Sequence, residues 1–477
     1  MDKRNMKIIY SDYQGVEKKA IELVNKEVGS IILRDKGVYT IFVLPLEKDG
    51  AEINQNVIVI GKWENNETVR RYVKEDEIPE NGYLVKVFDN PENPDLKITI
   101  LTGLTSQNVY YAAVDYVDNY LPFAAKNISN RIQSEYNTFD DKIPDYQNAS
   151  APKSKKRSIF TWGQPINDYR EYIDNAARCK INQIIIWNDF LPINAKDVVD
   201  YAHEYEIELI WGFQWGWGTD CSKVDLTRLD DIKENVVKNF KENYMSSGDG
   251  IYFQSFTEIH REEIGGILIA DAVVRLVNET AKEIYKLKPD IHIQFGLHAM
   301  SVKDRLEFIE KVDKRIEIVW EDCGSFPYNY IPKVQTEEEY KNTLDFTDKI
   351  IALRDNGKTG LVYKGLMTLD WNHFEHQSGP YILGVNSEKT KKEDLDFLTP
   401  MWRYFTSDWI TYGKYAYDFT KNIHESGYDN INLNVAAQLA GGIWFPFALL
   451  TEILWNTDES YEEILSKVLK RKNIIMP

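Results

Sequence analysis

Cysteine is scarce in this sequence: three residues, at 179, 221 and 323, in a chain of 477. So few and so scattered, they exclude a disulfide framework or a cysteine zinc cage and fit reduced thiols in the cytoplasm. Long apolar runs are missing as well, and none approaches the ~18 residues expected of a membrane span. Residues 1–10 hold no apolar stretch of the length that a signal peptide needs, so a cytoplasmic location is expected. Positive charge is in deficit, with 57 Lys and Arg against 75 Asp and Glu and a formal net charge of −18. Nothing resembles a basic face for phosphates, so no nucleic-acid or membrane partner is expected. Glycine and proline are ordinary, and 43% hydrophobic residues suffice for a large core. The excess lies in aromatics, which make up 13% of the chain and include 12 Trp.

Two patterns divide the chain. Residues 1–125 read as short strands with helices at 15–26 and 106–120, a small α+β domain. Residues 126–156, rich in Asn, Ser, Asp, Lys and Pro, read as a linker. From 157 to 477 strands and helices alternate. Eight strand candidates stand at 158–162, 183–187, 208–213, 250–253, 292–296, 317–320, 360–363 and 432–437. Eight β/α units over this length predict an α/β fold, a (β/α)8 TIM barrel closed by C-terminal helices.

In such a barrel the active site lies at the C-terminal ends of the strands. Many tryptophans fall there, among them Trp162, Trp187, Trp211, Trp215, Trp217, Trp320, Trp371 and Trp444. They predict a cleft walled by indoles, flat faces suited to stacking on sugar rings, although a single Trp can equally plug a barrel end. Polar residues sit between them. The second strand ends Trp187-Asn188-Asp189, the fourth leads to Glu258, the fifth ends near His298, and the sixth ends Trp320-Glu321-Asp322. The seventh leads to Lys364 and then Asp370-Trp371.

Carboxylates from several strands around an aromatic cleft match glycosidic-bond cleavage, where one carboxyl protonates the leaving oxygen and another activates water or attacks the anomeric carbon. Glu258 suits the acid; Glu321, with Asp322 beside it, suits the base or nucleophile, and Asp370 is a third candidate for that part. Asp189 could instead cap a turn, and His298 could be a buried structural histidine. His373-Phe-Glu375-His376 lacks the i,i+4 helical spacing of a zincin, so no metal or cofactor is expected.

The stretch Arg157-Ser-Ile-Phe-Thr-Trp162, the helix opening at Asp168 and the step Lys180-Ile-Asn182 together resemble the barrel entry of glycoside hydrolase families 20, 67 and 115. The segments 82–87, 98–103 and 110–116 are similar to their non-catalytic α+β domain, and 449–466 resembles the closing region of the α-glucuronidases. The resemblance implies an α-glucuronidase-like or hexosaminidase-like activity. It implies that Arg157 binds sugar hydroxyls, that Glu258 is the general acid, and that Glu321 or Asp322 occupies the region of the base carboxylate. Family 20 places an Asp directly before the acid, and here that residue is Thr257. A uronate substrate would need a cation, for which Lys364 and Arg157 are the candidates. The alternative from another class is a non-catalytic carbohydrate-binding barrel, since a fold alone does not dictate activity.

Overall fold

The computed structural model describes residues 5–35, 43–128, 136–139, 143–162, 166–213, 215, 224–254, 256–321, 336–354, 357–366, 379–428, 430–437, 439 and 441–477. Its contacts divide the chain into two compact units: one built mainly from residues 1–152, the other mainly from 153–464.

The first unit carries a six-stranded sheet in the order Leu46–Lys48, Met6–Tyr10, Asn56–Ile60, Asn93–Gly103, Tyr83–Asn90 and Tyr146–Ser150. The first four strands run parallel and the last two pair antiparallel. β-branched residues such as Val57, Val59, Ile98 and Ile100 bury a common core. Residues 146–150, expected to belong to a linker, form the edge strand of this sheet. Their sequence, Tyr-Gln-Asn-Ala-Ser, has no β-branched residue to announce a strand. Backbone pairing holds it, together with Tyr146 and Asn148, which donate to Asp115 at 3.3 and 3.1 Å.

The second unit is a closed barrel of eight parallel strands, a (β/α)8 TIM barrel, preceded in the chain by the separate sheet. The strands are Lys156–Trp162, Gln183–Trp187, Glu208–Gly212, Gly250–Gln254, His292–Leu297, Glu317–Trp320, Thr359–Leu366 and Asn432–Ala437. The order closes from the eighth strand onto the first. All eight lie where the alternation placed them, shifted by a few residues at most. Among the helices between them, the one after the fifth strand is short, Leu306–Ile309, and two after the seventh, Glu388–Tyr412 and Lys414–Glu425, meet at Gly413.

Inside the barrel, residues alternate between the lumen and the surrounding helices. Phe160, Ile185, Ile210, Tyr252, Val319, Val362 and Ala436 meet in the lumen as an apolar layer, with Trp187 above them. Beneath it, at the N-terminal ends of the strands, the lumen is polar. Gln294 donates to Gln183 and Glu317 at 3.0 and 3.1 Å, and Asn432 donates to the same pair at 2.7 and 3.0 Å. His292 lies between Glu208 and Glu317, at 2.9 and 3.1 Å. The apolar layer thus separates this floor from the mouth.

Candidate functional site

Two residues beyond an inward residue, the chain points inward again, and this alternation loads the mouth. From Tyr252, Val319 and Val362 it predicts lumen-facing positions at the ends of the fourth, sixth and seventh strands. The fifth strand delivers Gly296 and then His298 at the same level. Glu321 follows the sixth strand, and its carboxyl group is wholly enclosed, with 0% exposure. Tyr252 donates a short hydrogen bond to Glu321 Oε1. Glu321 Oε2 lies 2.6 Å from His298 Nε2, and Glu258 Oε1 approaches the same nitrogen at 3.2 Å. Glu258 keeps 34% of its side chain exposed, so of the two carboxyl groups it is the one that a substrate can reach.

Gly296 makes this arrangement possible. A Cβ there would overlap both Glu321 Oε1 and the Tyr252 hydroxyl. The backbone laces the loops together: His298 N–H donates to Thr257 Oγ1 at 3.0 Å, and Ser301 donates twice to the Thr257 carbonyl, from N at 3.1 Å and from Oγ at 2.9 Å. Thr257, immediately before Glu258, is fully buried and fixes where that carboxyl group begins. The loop continues to a hairpin between Glu263–Ile264 and Ile267–Leu268, turned by Gly265 and Gly266 at φ of 59° and 79°. The Gly-Gly pair is a turn, as its composition suggests.

On the second strand Trp187 faces the lumen, and Gly212 beside it provides the space that its indole fills. Asn188 donates to the Tyr381 hydroxyl at 2.7 Å. Burial raises the Tyr381 phenol well above its ordinary range, and the charge of half-buried Asp189 raises it further against the Asn188 hydrogen bond. Asp189 likewise adds to the upward shift that burial imposes on Tyr244. Lys364 is buried on the seventh strand, where that strand shifts register against the eighth.

Other residues expected at the site are placed elsewhere. Arg157 stands near the start of the first strand, at the opposite end from the mouth. Its guanidinium donates to the carbonyls of Lys180 and Ser154 at 3.0 and 2.7 Å and lies over the Trp455 ring. It secures backbone there and does not reach a sugar in the mouth. Trp320 precedes Glu321 by one residue, so it points out of the barrel, edge-on to Phe346 at 5.1 Å. Trp215 is fully buried and stacks on outward-facing Phe253, which in turn stacks on Phe295. Trp211 follows inward-facing Ile210 and is buried, and Trp444 stacks on Trp402 at 5.3 Å. The expected indole rim is therefore largely packing between strands and helices. Trp217, Asp322, Asp370 and Trp371 lie outside the described residues, as do the side chain of Trp162 and the segment 373–376. Among the described residues, no cluster of three or more His, Cys, Asp and Glu is arranged to hold a metal.

Sequence reasoning missed Tyr252, Gly296 and Tyr381. Tyr252 reads as one more aromatic in a core strand, and only the barrel's closure brings it to Glu321, 69 residues away.

No family model matches the chain, and no curated protein matches it in sequence. Two glycoside hydrolases of known structure are similar to it in fold. One is CpGH84D, 12% identical over 76% of this chain and 57% of its own, at a TM-score of 0.45. The other is a GH138 enzyme targeting pectin rhamnogalacturonan II, 11% identical over 96% of this chain and 51% of its own, at a TM-score of 0.50. The chain thus spans little more than half the length of either protein, and its likeness to the GH138 enzyme, at 11% identity, is one of fold alone.

Proposed function

We propose that the chain is a glycoside hydrolase with Glu258 as its general acid. The observation that carries this reading is the meeting of Glu258 and Glu321 on His298 Nε2, at the end of the barrel where such folds do their chemistry. Glu258, partly exposed beside a buried imidazole, is placed to deliver a proton to a leaving oxygen. Asp322 and Asp370 are the candidates for the second carboxylate, as base or nucleophile, because Glu321 is enclosed. Trp187, Asn188, Asp189 and Tyr381 supply an apolar face and polar handles for a sugar on the facing side.

The identity of the sugar is narrowed by two residues. Thr257 stands where an N-acetyl-assisted enzyme carries a polarising Asp, and its hydroxyl holds the His298 backbone instead. That favours the α-glucuronidase-like over the hexosaminidase-like reading. With Arg157 bound to backbone carbonyls at the start of the first strand, Lys364 is our candidate cation for a uronate carboxylate.

A panel of chromogenic glycosides, uronosides included, tests the proposal. The expected result is hydrolysis of at least one glycoside and a loss of about 10²–10⁴-fold in turnover for Glu258→Gln, with an unchanged melting temperature. A wild-type chain that binds sugars but cleaves none would favour the non-catalytic barrel. A fully active Glu258→Gln variant would overturn the assignment of the acid.

A further inference from the structure

Glu321 cannot meet a substrate, yet it occupies the centre of the site's hydrogen-bond network. A carboxyl group enclosed in a barrel lumen is costly unless polar partners surround it, and here the Tyr252 hydroxyl donates to one oxygen while His298 Nε2 stands 2.6 Å from the other. An ionised carboxylate accepts hydrogen bonds only. His298 Nε2 lies 2.6 Å from Glu321 Oε2, which orients the ring, and 3.2 Å from Glu258 Oε1, so the two carboxyl groups share the single N–H that this nitrogen can carry.

Resting on Glu258 as the acid, we propose that Tyr252, Glu321 and His298 form a positioning chain for Glu258. Its task is to hold an Nε2–H donor where the Glu258 carboxylate appears during the reaction. As the glycosidic C–O bond breaks, its electron pair stays with the leaving oxygen, which takes the Glu258 proton. Negative charge then develops on Glu258 beside the N–H that it shares with Glu321, and that donor leans on Glu258 more strongly in the transition state than in the ground state. When water completes the hydrolysis, its hydroxyl joins the anomeric carbon and the remaining proton restores Glu258. Gly296 belongs to the same device, because only a residue without a side chain leaves room for the Tyr252–Glu321 contact.

The device assists proton donation, so its loss should depend on how much the leaving group needs a proton. The experiment compares dinitrophenyl glycosides, whose leaving group departs without help, with alkyl glycosides of the same sugar. The variants are Glu321→Gln, His298→Gln and Tyr252→Phe, each checked for an unchanged melting temperature. We expect kcat on the poor leaving groups to fall by about 10- to 100-fold with KM little altered, and kcat on dinitrophenyl glycosides to stay within about threefold. Tyr252→Phe, which keeps the ring and loses only one donor, should show the smallest effect. Equal losses on both leaving groups, or none on either, would overturn the positioning chain and leave the glycosidase reading intact. Failure of the wild-type chain on every glycoside would instead remove that reading itself.

Discussion

Gly296 shows how much of the site rests on a missing side chain. Its constraint is space: a Cβ would collide with the two atoms that bond Glu321 to Tyr252. Gly296→Ala is expected to displace the enclosed carboxyl group and the His298 ring with it. Overpacking at such positions costs about 1–3 kcal/mol. The measurement is paired: a lower melting temperature, together with a fall in kcat on poor leaving groups larger than in a Gly103→Ala control. Gly103→Ala crowds Asn108 in the first unit and no group of the site, so that control separates packing from positioning. At this scale the sequence was legible for residues that lie directly after a strand. Glu258, His298 and Glu321, which the structure brings together, could be chosen from strand ends alone. Tyr252 and Gly296 could not, because a tyrosine and a glycine inside β runs read as core and irregularity until the partner strands are known.

At the scale of elements, the two-residue period of a strand explains both the successes and the error with tryptophan. Trp320 and Glu321 are neighbours, so one must face the helices when the other faces the lumen. Counting Trp near strand ends ignores that parity. Fixing the lumen side from the apolar layer through Val319 assigns Trp320 outward and Glu321 inward at once. The polar edge strand at 146–150 was illegible for another reason: its hold comes from backbone pairing and Asp115, neither of which marks its own sequence.

The segment that returns after the seventh strand offers a test at this scale. Residues 381–386 are fastened to the loops after the first and second strands. Ile193 N–H donates to the Tyr381 carbonyl at 2.8 Å, and Asn194 both donates to and accepts from the Leu383 backbone, each at 2.9 Å. Tyr169 and Asn386 continue the fastening through backbone bonds of 3.1 and 3.0 Å. Asn194→Ala removes two hydrogen bonds from this strap, a local cost of about 1–3 kcal/mol. Amide exchange over 381–386 should accelerate while the barrel strands keep their protection, and KM should rise because Tyr381 loses its anchored position beside Asn188. Asn194→Asp keeps the acceptor for Leu383 N–H but sets a carboxylate oxygen against the Leu383 carbonyl, so it should not restore the strap. Unchanged exchange in the alanine variant would show that the backbone bonds alone hold the strap.

The whole barrel closes over a polar floor, and that floor makes its stability depend on pH. Ser158, Gln183, Glu208, His292, Gln294, Glu317 and Asn432 come from six of the eight strands and bond across the lumen. Burial alone would pull the His292 imidazole down, but hydrogen bonds and charge from Glu208 and Glu317 prevail and push it up to about 9. Glu208 is buried too, yet His292 and Lys156 hold its carboxyl below the ordinary carboxylate range. The two groups set opposite limits. The histidine's contribution is complete below its unfolded value near 6.5 and disappears as pH rises through about 9. The contribution of Glu208 is present above its unfolded value near 4.5 and is lost on acidification. A displacement of His292 from 6.5 to about 9 corresponds to about 3 kcal/mol. Unfolding free energy measured by denaturant titration should therefore decline by up to that amount between neutral pH and pH ~10, with uptake of about one proton on folding near pH 8. His292→Gln retains hydrogen-bonding capacity without the charge and should flatten the alkaline decline while lowering stability at neutral pH, since it leaves Glu208 and Glu317 facing each other without a cation between them. The mouth lies beyond the apolar layer through Tyr252 and Val319, so the wild-type activity profile should track the site's own groups and not this decline until unfolding intervenes. An alkaline slope unchanged in His292→Gln would place its origin outside the floor.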